Sequence, residues 1–371
     1  MNLGRTFVAG AIAVLIPLAA GAAGGQSQAS DDAPGPFVKK DADQALQAFA
    51  SQIEDNYLFP NLGKKYAELL RRKAAAGEYS TFRTDRDFTR AVEADLNAVQ
   101  PDLHLHIIAP SVPRRGVVGT AASPTGTCPN AGAQIERSIG RFGWLAPGIA
   151  YVEFCAFRES PEDRVALRSF LDRHSKARVL IVDNRNNNGG GFAESDLLFS
   201  RLFDRDVGLL ELDIRKSVDA EMPFPFADGI HWKRLSPKGS WSRYLWYAHP
   251  RGAKLQMRRA KVYVLTSRWT ESAGEGTTLA LKVAGRALVI GERTQGAGHL
   301  APTMNLPGKY RGQVPIGRVY DPRTGIGFEG NGVSPNVKVP AADALSAALK
   351  LTHVNVRRAE QSWSRLPTLQ K

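Results

Sequence analysis

Lys261-Val-Tyr-Val-Leu-Thr-Ser-Arg-Trp-Thr-Glu-Ser-Ala-Gly-Glu275 decides how this chain folds. Residues 262–265 form an unbroken apolar run, β-branched and aromatic in part, the pattern of a buried core strand. Residues 273–281 read as a helix, with Leu279 and Leu281 among its apolar contacts. The helix therefore opens directly behind Ser272, where unpaired backbone N–H groups and the positive end of the helix dipole converge. Such a place suits a nucleophile and the donors that stabilise an oxyanion. It suits a plain helix cap equally well, because Ser272 and Glu275 have the spacing of a capping box.

The same succession of strand, turn and helix occurs upstream. Arg178-Val-Leu-Ile-Val-Asp183 has the continuous apolar character of a strand covered on both faces. Asn184-Arg-Asn-Asn-Asn-Gly-Gly-Gly191 follows as a turn, and residues 192–202 resume helical character. Glycines there let backbone N–H groups approach a ligand closely. No dinucleotide fingerprint or Walker motif is present, so the loop is not read as a nucleotide cradle. Further strands are expected at residues 149–154 and 287–290. A helix begins at the capping sequence Ser160-Pro-Glu-Asp163 and runs to about residue 173. This alternation predicts an α/β (α+β) fold whose core contains substantial parallel pairing. Residues 217–249 read as an irregular, aromatic and basic segment overhanging the site. Strands near 313–320, the glycine-rich Gly325-Ile-Gly-Phe-Glu-Gly-Asn-Gly-Val-Ser-Pro335 and a helix at 341–351 complete the core.

Three amphipathic patterns at residues 41–57, 63–76 and 85–99 predict an N-terminal three-helix subdomain beside the sheet, with Thr84 as a cap. Pro101-Asp-Leu-His-Leu-His-Ile-Ile-Ala-Pro110 then alternates, which puts His104, His106 and Ile108 on one face of an expected strand. Residues 110–140, rich in Pro, Gly, Ser and Thr, read as a long loop. The expected organisation is a cleavable signal peptide at 1–24, a disordered lead-in at 25–40, a helical subdomain at 41–100, an α/β core at 101–355 and a tail at 356–371. The signal peptide reading rests on Arg5, the apolar run 7–20 and the small residues after it. Periplasmic or secreted localisation follows from it, and no later stretch is apolar and long enough to span a bilayer.

Cys128 and Cys155 are the only cysteines; in an oxidising compartment they would suit a single disulfide, although Cys155 would also serve as a buried thiol. They cannot alone make a structural zinc site. The net charge of +13 favours anionic surfaces, but its residues are dispersed and no nucleic-acid motif accompanies them.

A serine hydroxyl needs a base within hydrogen-bond reach. Seven histidines compete for that role: His104, His106, His174, His231, His249, His299 and His353. Spacing does not choose among them, because the fold assembles such pairs. His104-x-His106 supplies two metal ligands without visible partners, too few to define a site, so no metal or other cofactor is expected. Glu329 reads as an exposed turn glutamate or as a residue that orients a base.

Several of these stretches occur together in one order: Asn56-Tyr57-Leu-Phe-Pro60, Asp102-Leu-His-Leu105, Val179-Leu-Ile-Val-Asp-Asn-Arg-Asn-Asn-Asn-Gly-Gly190, the segment 264–275, Gly291-Glu-Arg-Thr294 and Phe328-Glu-Gly-Asn-Gly-Val-Ser-Pro335. In this the chain resembles the C-terminal processing peptidase family. The nearest branch is that of the tricorn core protease and the repeats of interphotoreceptor retinoid-binding protein. The resemblance implies a ClpP/crotonase-like core, a peptide or protein substrate and a serine peptidase mechanism. It assigns Ser272 as nucleophile, His104 as general base and Glu329 as the acid linked to the histidine. The N–H groups of Ala273 and of Gly189 or Gly190 would form the oxyanion hole. The family's serine–lysine branch is not matched, since Gly291-Glu-Arg-Thr-Gln-Gly-Ala-Gly-His299 holds no lysine. Residues 107–141 are too few for the PDZ domain which that branch inserts. Leu103 stands where the tricorn-like site has a relay serine. Glu271 stands where relatives often carry an aromatic residue, so Glu271 and Glu275 become candidate modulators, with Glu271 expected to raise the histidine pKa if it faces the site. Retinoid-binding relatives use this fold for apolar ligands, so a non-catalytic binding protein for an apolar ligand or extended peptide is the alternative.

Overall fold

The parallel strands carry the architecture, and the rest of the chain is arranged around their carboxyl ends. A computed structural model describes residues 37–110, 128, 137–224, 229–251 and 256–368. The expected signal peptide, nearly all of the lead-in and most of the 110–140 loop lie outside the described residues.

In chain order, α1 (Lys39–Asn56), α2 (Pro60–Ala75) and α3 (Asp85–Val99) precede β1 (His106–Ile108). β2 (Ile139–Ala146) and β3 (Ile149–Phe154) lead into α4 (Pro161–Arg173), β4 (Val179–Asp183) and α5 (Ala193–Leu202). Next come β5 (Val207–Arg215), α6 (Lys216–Glu221), β6 (Trp232–Lys238) and β7 (Trp241–Ala248). β8 (Lys261–Thr266), α7 (Ala273–Val283) and β9 (Ala287–Gly291) follow. Short strands β10 (His299–Leu300), β11 (Thr303–Asn305), β12 (Arg311–Gln313), β13 (Gly317–Asp321) and β14 (Ile326–Gly327) come before β15 (Val337–Lys338), α8 (Ala344–Lys350) and α9 (Val356–Trp363).

The central sheet has the order β15-β9-β8-β4-β3-β2 and is parallel throughout except for the edge strand β2. All five residues of β4 are buried, as a strand covered on both faces requires. A second sheet, β10-β13-β5-β7-β6, is antiparallel, and a third joins β1, β12 and β11. The mixed α/β expectation holds.

Three details differ from the sequence reading. The segment 217–249 is not irregular: β6 and β7 form an antiparallel hairpin, and β7 alternates half-buried and buried residues along its whole length. Its Trp246 stacks on Trp232 at 5.4 Å between ring centroids and meets Phe199 of α5 edge-on, which ties the hairpin to the main core. The N-terminal helices do not close a core of their own by residue 100; Phe49, Ile53, Tyr66 and Phe88 share one apolar cluster with Leu105, Ile107, Tyr310 and Val314. Nor do residues 356–368 form a loose tail, because α9 packs Ala359 and Trp363 into the cluster beneath β2 and β3. Cys128 and Cys155 form a disulfide.

The base of the glycine loop is pinned by a buried ion pair. Arg185 and Asp183 are 2% and 0% exposed; the guanidinium donates to both carboxylate oxygens and, through Nη1, to the Ala341 carbonyl at 2.8 Å. Tyr151 donates to the same carboxylate at 2.7 Å. Breaking a buried pair by removing one partner costs about 3–5 kcal/mol, because the other charge stays buried. Arg185→Ala is therefore expected to lower the unfolding free energy by about that amount in urea titration; a change under about 1 kcal/mol would show the pair to be dispensable.

Candidate active site

β4 and β8 are adjacent and parallel, with Asp183 opposite Leu265, so the loops leaving their carboxyl ends emerge side by side. Ligand sites of parallel sheets form in this position. The two loops are laced together: Thr270 Oγ1 donates to the Asn184 carbonyl at 2.8 Å, and the Glu271 N–H donates to the Asn187 carbonyl at 2.8 Å. Ser267 Oγ donates to the Arg185 carbonyl at 2.5 Å. These bonds hold Ser272 at φ 49° and ψ −119°, a conformation that a non-glycine residue rarely adopts. Strain of that kind costs about 1–3 kcal/mol and persists only where its surroundings enforce it. At roughly 0.5–1.5 kcal/mol each, the three lacing bonds, with one from the Ser272 N–H to Glu275 Oε2 at 3.0 Å, outweigh it.

Ser272 Oγ lies 3.2 Å from His104 Nε2. Of the seven histidines, the fold brings His104 to the serine. His104 does not stand on the expected strand, however. It occupies a turn ahead of β1, because Asp102 accepts the His104 N–H at 3.0 Å and the Leu105 N–H bonds back to the Asp102 carbonyl at 3.2 Å. The alternation resumes only from Leu105 onward. Burial pushes the His104 imidazole down to about 4; Asp102 opposes that shift, and His106 and His299 reinforce it. Its Nδ1 is sealed from solvent with no acceptor among the described residues.

Gly189 and Gly190 occupy the loop facing Ser272, with φ values of +82° and +127°. Their N–H groups are not equivalent. That of Gly189 is taken by Asn187 Oδ1 at 3.0 Å, whereas those of Gly190 and Ala273 donate to no acceptor among the described residues. Gly190 admits no side chain, since a Cβ would stand 2.0 Å from the Phe157 carbonyl oxygen.

Glu329 sits against His299 and not against His104. Its Oε2 accepts the N–H groups of Gly298 at 2.6 Å and His299 at 3.0 Å, and lies 3.6 Å from His299 Nδ1. The carboxylate that acts on His104 is Asp102, whose Oδ2 accepts Tyr57 Oη–H at 2.8 Å and His299 Nδ1–H at 2.9 Å. Burial acts against it, but the His299 hydrogen bond and charge, with the His104 N–H and Tyr57 hydroxyl, hold Asp102 below the usual carboxylate range. Conversely, burial would lower His299, yet Asp102 and Glu329 raise it. Asp102, His299 and Glu329 bring their ligand atoms within 4.8 Å of one another. A cation there would have to displace the proton that already joins His299 to Asp102. The sequence reading missed Asp102, Tyr57 and His299 as a network, although all three lie in or beside quoted stretches.

Glu275 is fully buried and accepts from Thr294, Gly296, Ala297 and Ser272; burial still lifts its carboxyl to about 7. Burial, helped by Glu275, pushes Glu271 up to about 8, and His106 opposes. This corrects the expectation that Glu271 raises the histidine: below about pH 8 the Glu271 carboxyl is uncharged, and His104 is shifted downward.

A cleft of about 530 Å³ connects these groups, lined by Ser272, His104, Gly190, Glu271, Trp246 and Phe328 among others.

Comparisons with known proteins place the chain in a family. The family described as Peptidase family S41 matches residues 148–339, and the N-terminal domain of that family in eukaryotic interphotoreceptor retinoid-binding protein matches residues 37–132. Among solved structures, a candidate peptidase of Parabacteroides merdae is similar with a TM-score of 0.54 and 17% identity, over 85% of this chain and 96% of that one. Mature CPAF complexed with lactacystin gives 0.53 and 11%, over 87% and 99%. A lipoprotein from Streptococcus agalactiae gives 0.52 and 14%, over 84% and 96%. The architecture is thus that of a peptidase-type α/β fold. The chain belongs to peptidase family S41.

A carboxyl whose folded-state pKa is raised contributes stability at low pH and loses it as pH rises through the folded value. Replacing Glu271 by glutamine removes that loss. Relative to wild type, Glu271→Gln is expected to gain on the order of a few kcal/mol between pH 4.5 and pH 9. Urea midpoints across that range measure it; a pH-independent difference would mean that the carboxyl is not desolvated.

Proposed function

We propose that the protein is an exported serine peptidase in which Ser272 is the nucleophile and His104 its general base. The observation that carries this reading is the 3.2 Å approach of His104 Nε2 to Ser272 Oγ, between residues 168 positions apart in the chain. A neutral imidazole accepts the hydroxyl proton as Oγ attacks the scissile carbonyl, and returns it to the leaving amine. The carbonyl oxygen, as it becomes an oxyanion, receives the free N–H groups of Gly190 and Ala273, at the positive end of α7. Water then hydrolyses the acyl-enzyme by the same base. Asp102 holds the His104 backbone and supplies the negative charge that favours the imidazolium. Glu329 belongs to the layer behind it, through His299.

An extended peptide is the substrate form that suits the cleft. β1 ends its three-stranded sheet with one edge unpaired among the described residues, and His106 and Ile108 of that strand line the cleft. Such an edge accepts a peptide as an additional strand. Export is supported by the Cys128–Cys155 disulfide and by the amino-terminal pattern of Arg5 and an apolar run. Among the described residues no helix is long and apolar enough to cross a membrane.

Ser272→Ala and His104→Ala are each expected to abolish labelling by a fluorophosphonate probe and to lower kcat/KM by about 10⁴-fold or more, with circular dichroism unchanged. Full labelling of Ser272→Ala would remove the nucleophile assignment. Wild type that resists the probe yet binds lipid or peptide would identify a binding protein instead. Because burial depresses His104, activity should rise as pH increases through about 4, with no limb from His104 near its ordinary value of 6.5. A single acidic limb at 6.5 in kcat/KM would show the base to be solvated.

A further inference from the structure

Glu271 is 8% exposed, yet its carboxyl has no hydrogen-bond or ion-pair partner among the described residues. Its neighbour Glu275, also buried, accepts four donors. The Glu271 backbone is bound on both sides, by its N–H to Asn187 and by its carbonyl to Gly274, which fixes where the side chain leaves the chain. Neither carboxyl oxygen is sealed off, and the residue lines the cleft beside Ser272, His106 and Gln313. A polar group buried without a partner is costly, and a carboxyl far more so once charged. Among the described residues nothing answers this group, and its oxygens open to the cleft, where a bound molecule can reach them.

The surroundings decide the sign of that partner. Glu275 faces Glu271 from α7 and His106 faces it from β1. The charge of His106 is answered by Glu93, whose Oε1 lies 3.3 Å from Nδ1. His104, driven to its neutral form by burial, adds no positive charge above about pH 4. Arg158 also lines the cleft, but it is exposed and is not among the groups that act on the Glu271 carboxyl. An anion beside Glu271 would meet buried carboxyls, whereas a cation there would be stabilised by the Glu271 carboxylate. The overall charge of +13 favours acidic partners on the outer surface, but the wall beside Ser272 has the opposite preference.

We propose that Glu271 is a specificity residue whose carboxylate receives the basic side chain, lysine or arginine, of a peptide held in the cleft. The inference rests on the reading of the cleft as a peptide site. Binding of the cation displaces the Glu271 proton into solvent, so affinity for a basic peptide rises with pH up to the value at which the free carboxyl ionises, up to tenfold per unit. A lysine side chain remains charged throughout that range. Glu275 is fully buried with its oxygens taken by four donors, and comparison with Glu271→Gln separates any contribution from its titration.

The test uses the full chain carrying Ser272→Ala, so that peptides bind without being cleaved. Blocked octapeptides with one lysine moved through each position are compared by calorimetry with the same peptides bearing norleucine there, at pH 6 and pH 9. The expected result is one position at which lysine binds at least about tenfold better than norleucine at pH 9, with a smaller ratio at pH 6. Adding Glu271→Gln brings the ratio to about one at both pH values. Peptides that bind with no lysine preference at any position overturn this inference and leave the peptidase reading standing. So does a preference that survives both Glu271→Gln and Glu271→Ala. Failure of every peptide to bind overturns the peptide reading itself and this inference with it.

Discussion

The pairing of β4 with β8 is the constraint on which the site depends. Because the two strands are parallel neighbours, the Asn184–Gly191 turn and the Ser267–Ser272 turn leave the sheet at the same edge, close enough for backbone groups of one to satisfy the other. An antiparallel pairing would send the turns to opposite ends. The strained Ser272 backbone, the N–H groups of Gly190 and Ala273 left without an acceptor among the described residues, and the exclusion of a side chain at Gly189, whose Cβ would stand 2.7 Å from that of Ser272, all follow from that adjacency. The ion pair of Asp183 with Arg185, at the very end of β4, fixes where the glycine loop starts.

The second element of the site arrives from a different layer. His104 is carried by the turn before β1, and β1 belongs to the small sheet that packs on the N-terminal helices. The shared core of α1, α3, β1 and residues 306–314 is therefore more than a scaffold for the helices: it sets the position of His104 relative to Ser272. Asp102 joins these two layers, through Tyr57 on one side and His299 on the other. Burial dominates the electrostatics of the cleft. It pushes His104 down to about 4 and lifts Glu271 to about 8 and Glu275 to about 7, so the His104 ring and the Glu271 carboxyl beside Ser272 are mostly neutral near pH 7.

Local patterns expressed themselves well wherever one element could satisfy its own needs. Thr84 and Ser160 cap their helices as their spacing implied, the fully apolar run of β4 became a strand buried on both faces, and Ser272 begins a helix. Errors arose where aromatic and basic residues obscured a period of two, as in β7, whose Trp241, Arg243, Leu245 and Tyr247 alternate with buried Ser242, Tyr244, Trp246 and Ala248. The alternation from Leu103 onward predicts a strand at His104, but the Asp102 side chain, bonding to the backbone two residues on, converts that position into a turn.

The amino-acid sequence by itself determined the succession of strands and helices, the nucleophile-like turn at Ser272, the glycine loop and the order of motifs that marks the family, because each is a property of neighbouring residues. Only the tertiary structure decided which histidine meets Ser272, which glycine N–H is left without an acceptor among the described residues, and that Glu329 turns to His299 while Asp102 binds the His104 backbone. Those choices depend on residues as much as 197 positions apart meeting across three layers, and on burial, which no single residue carries in its own identity.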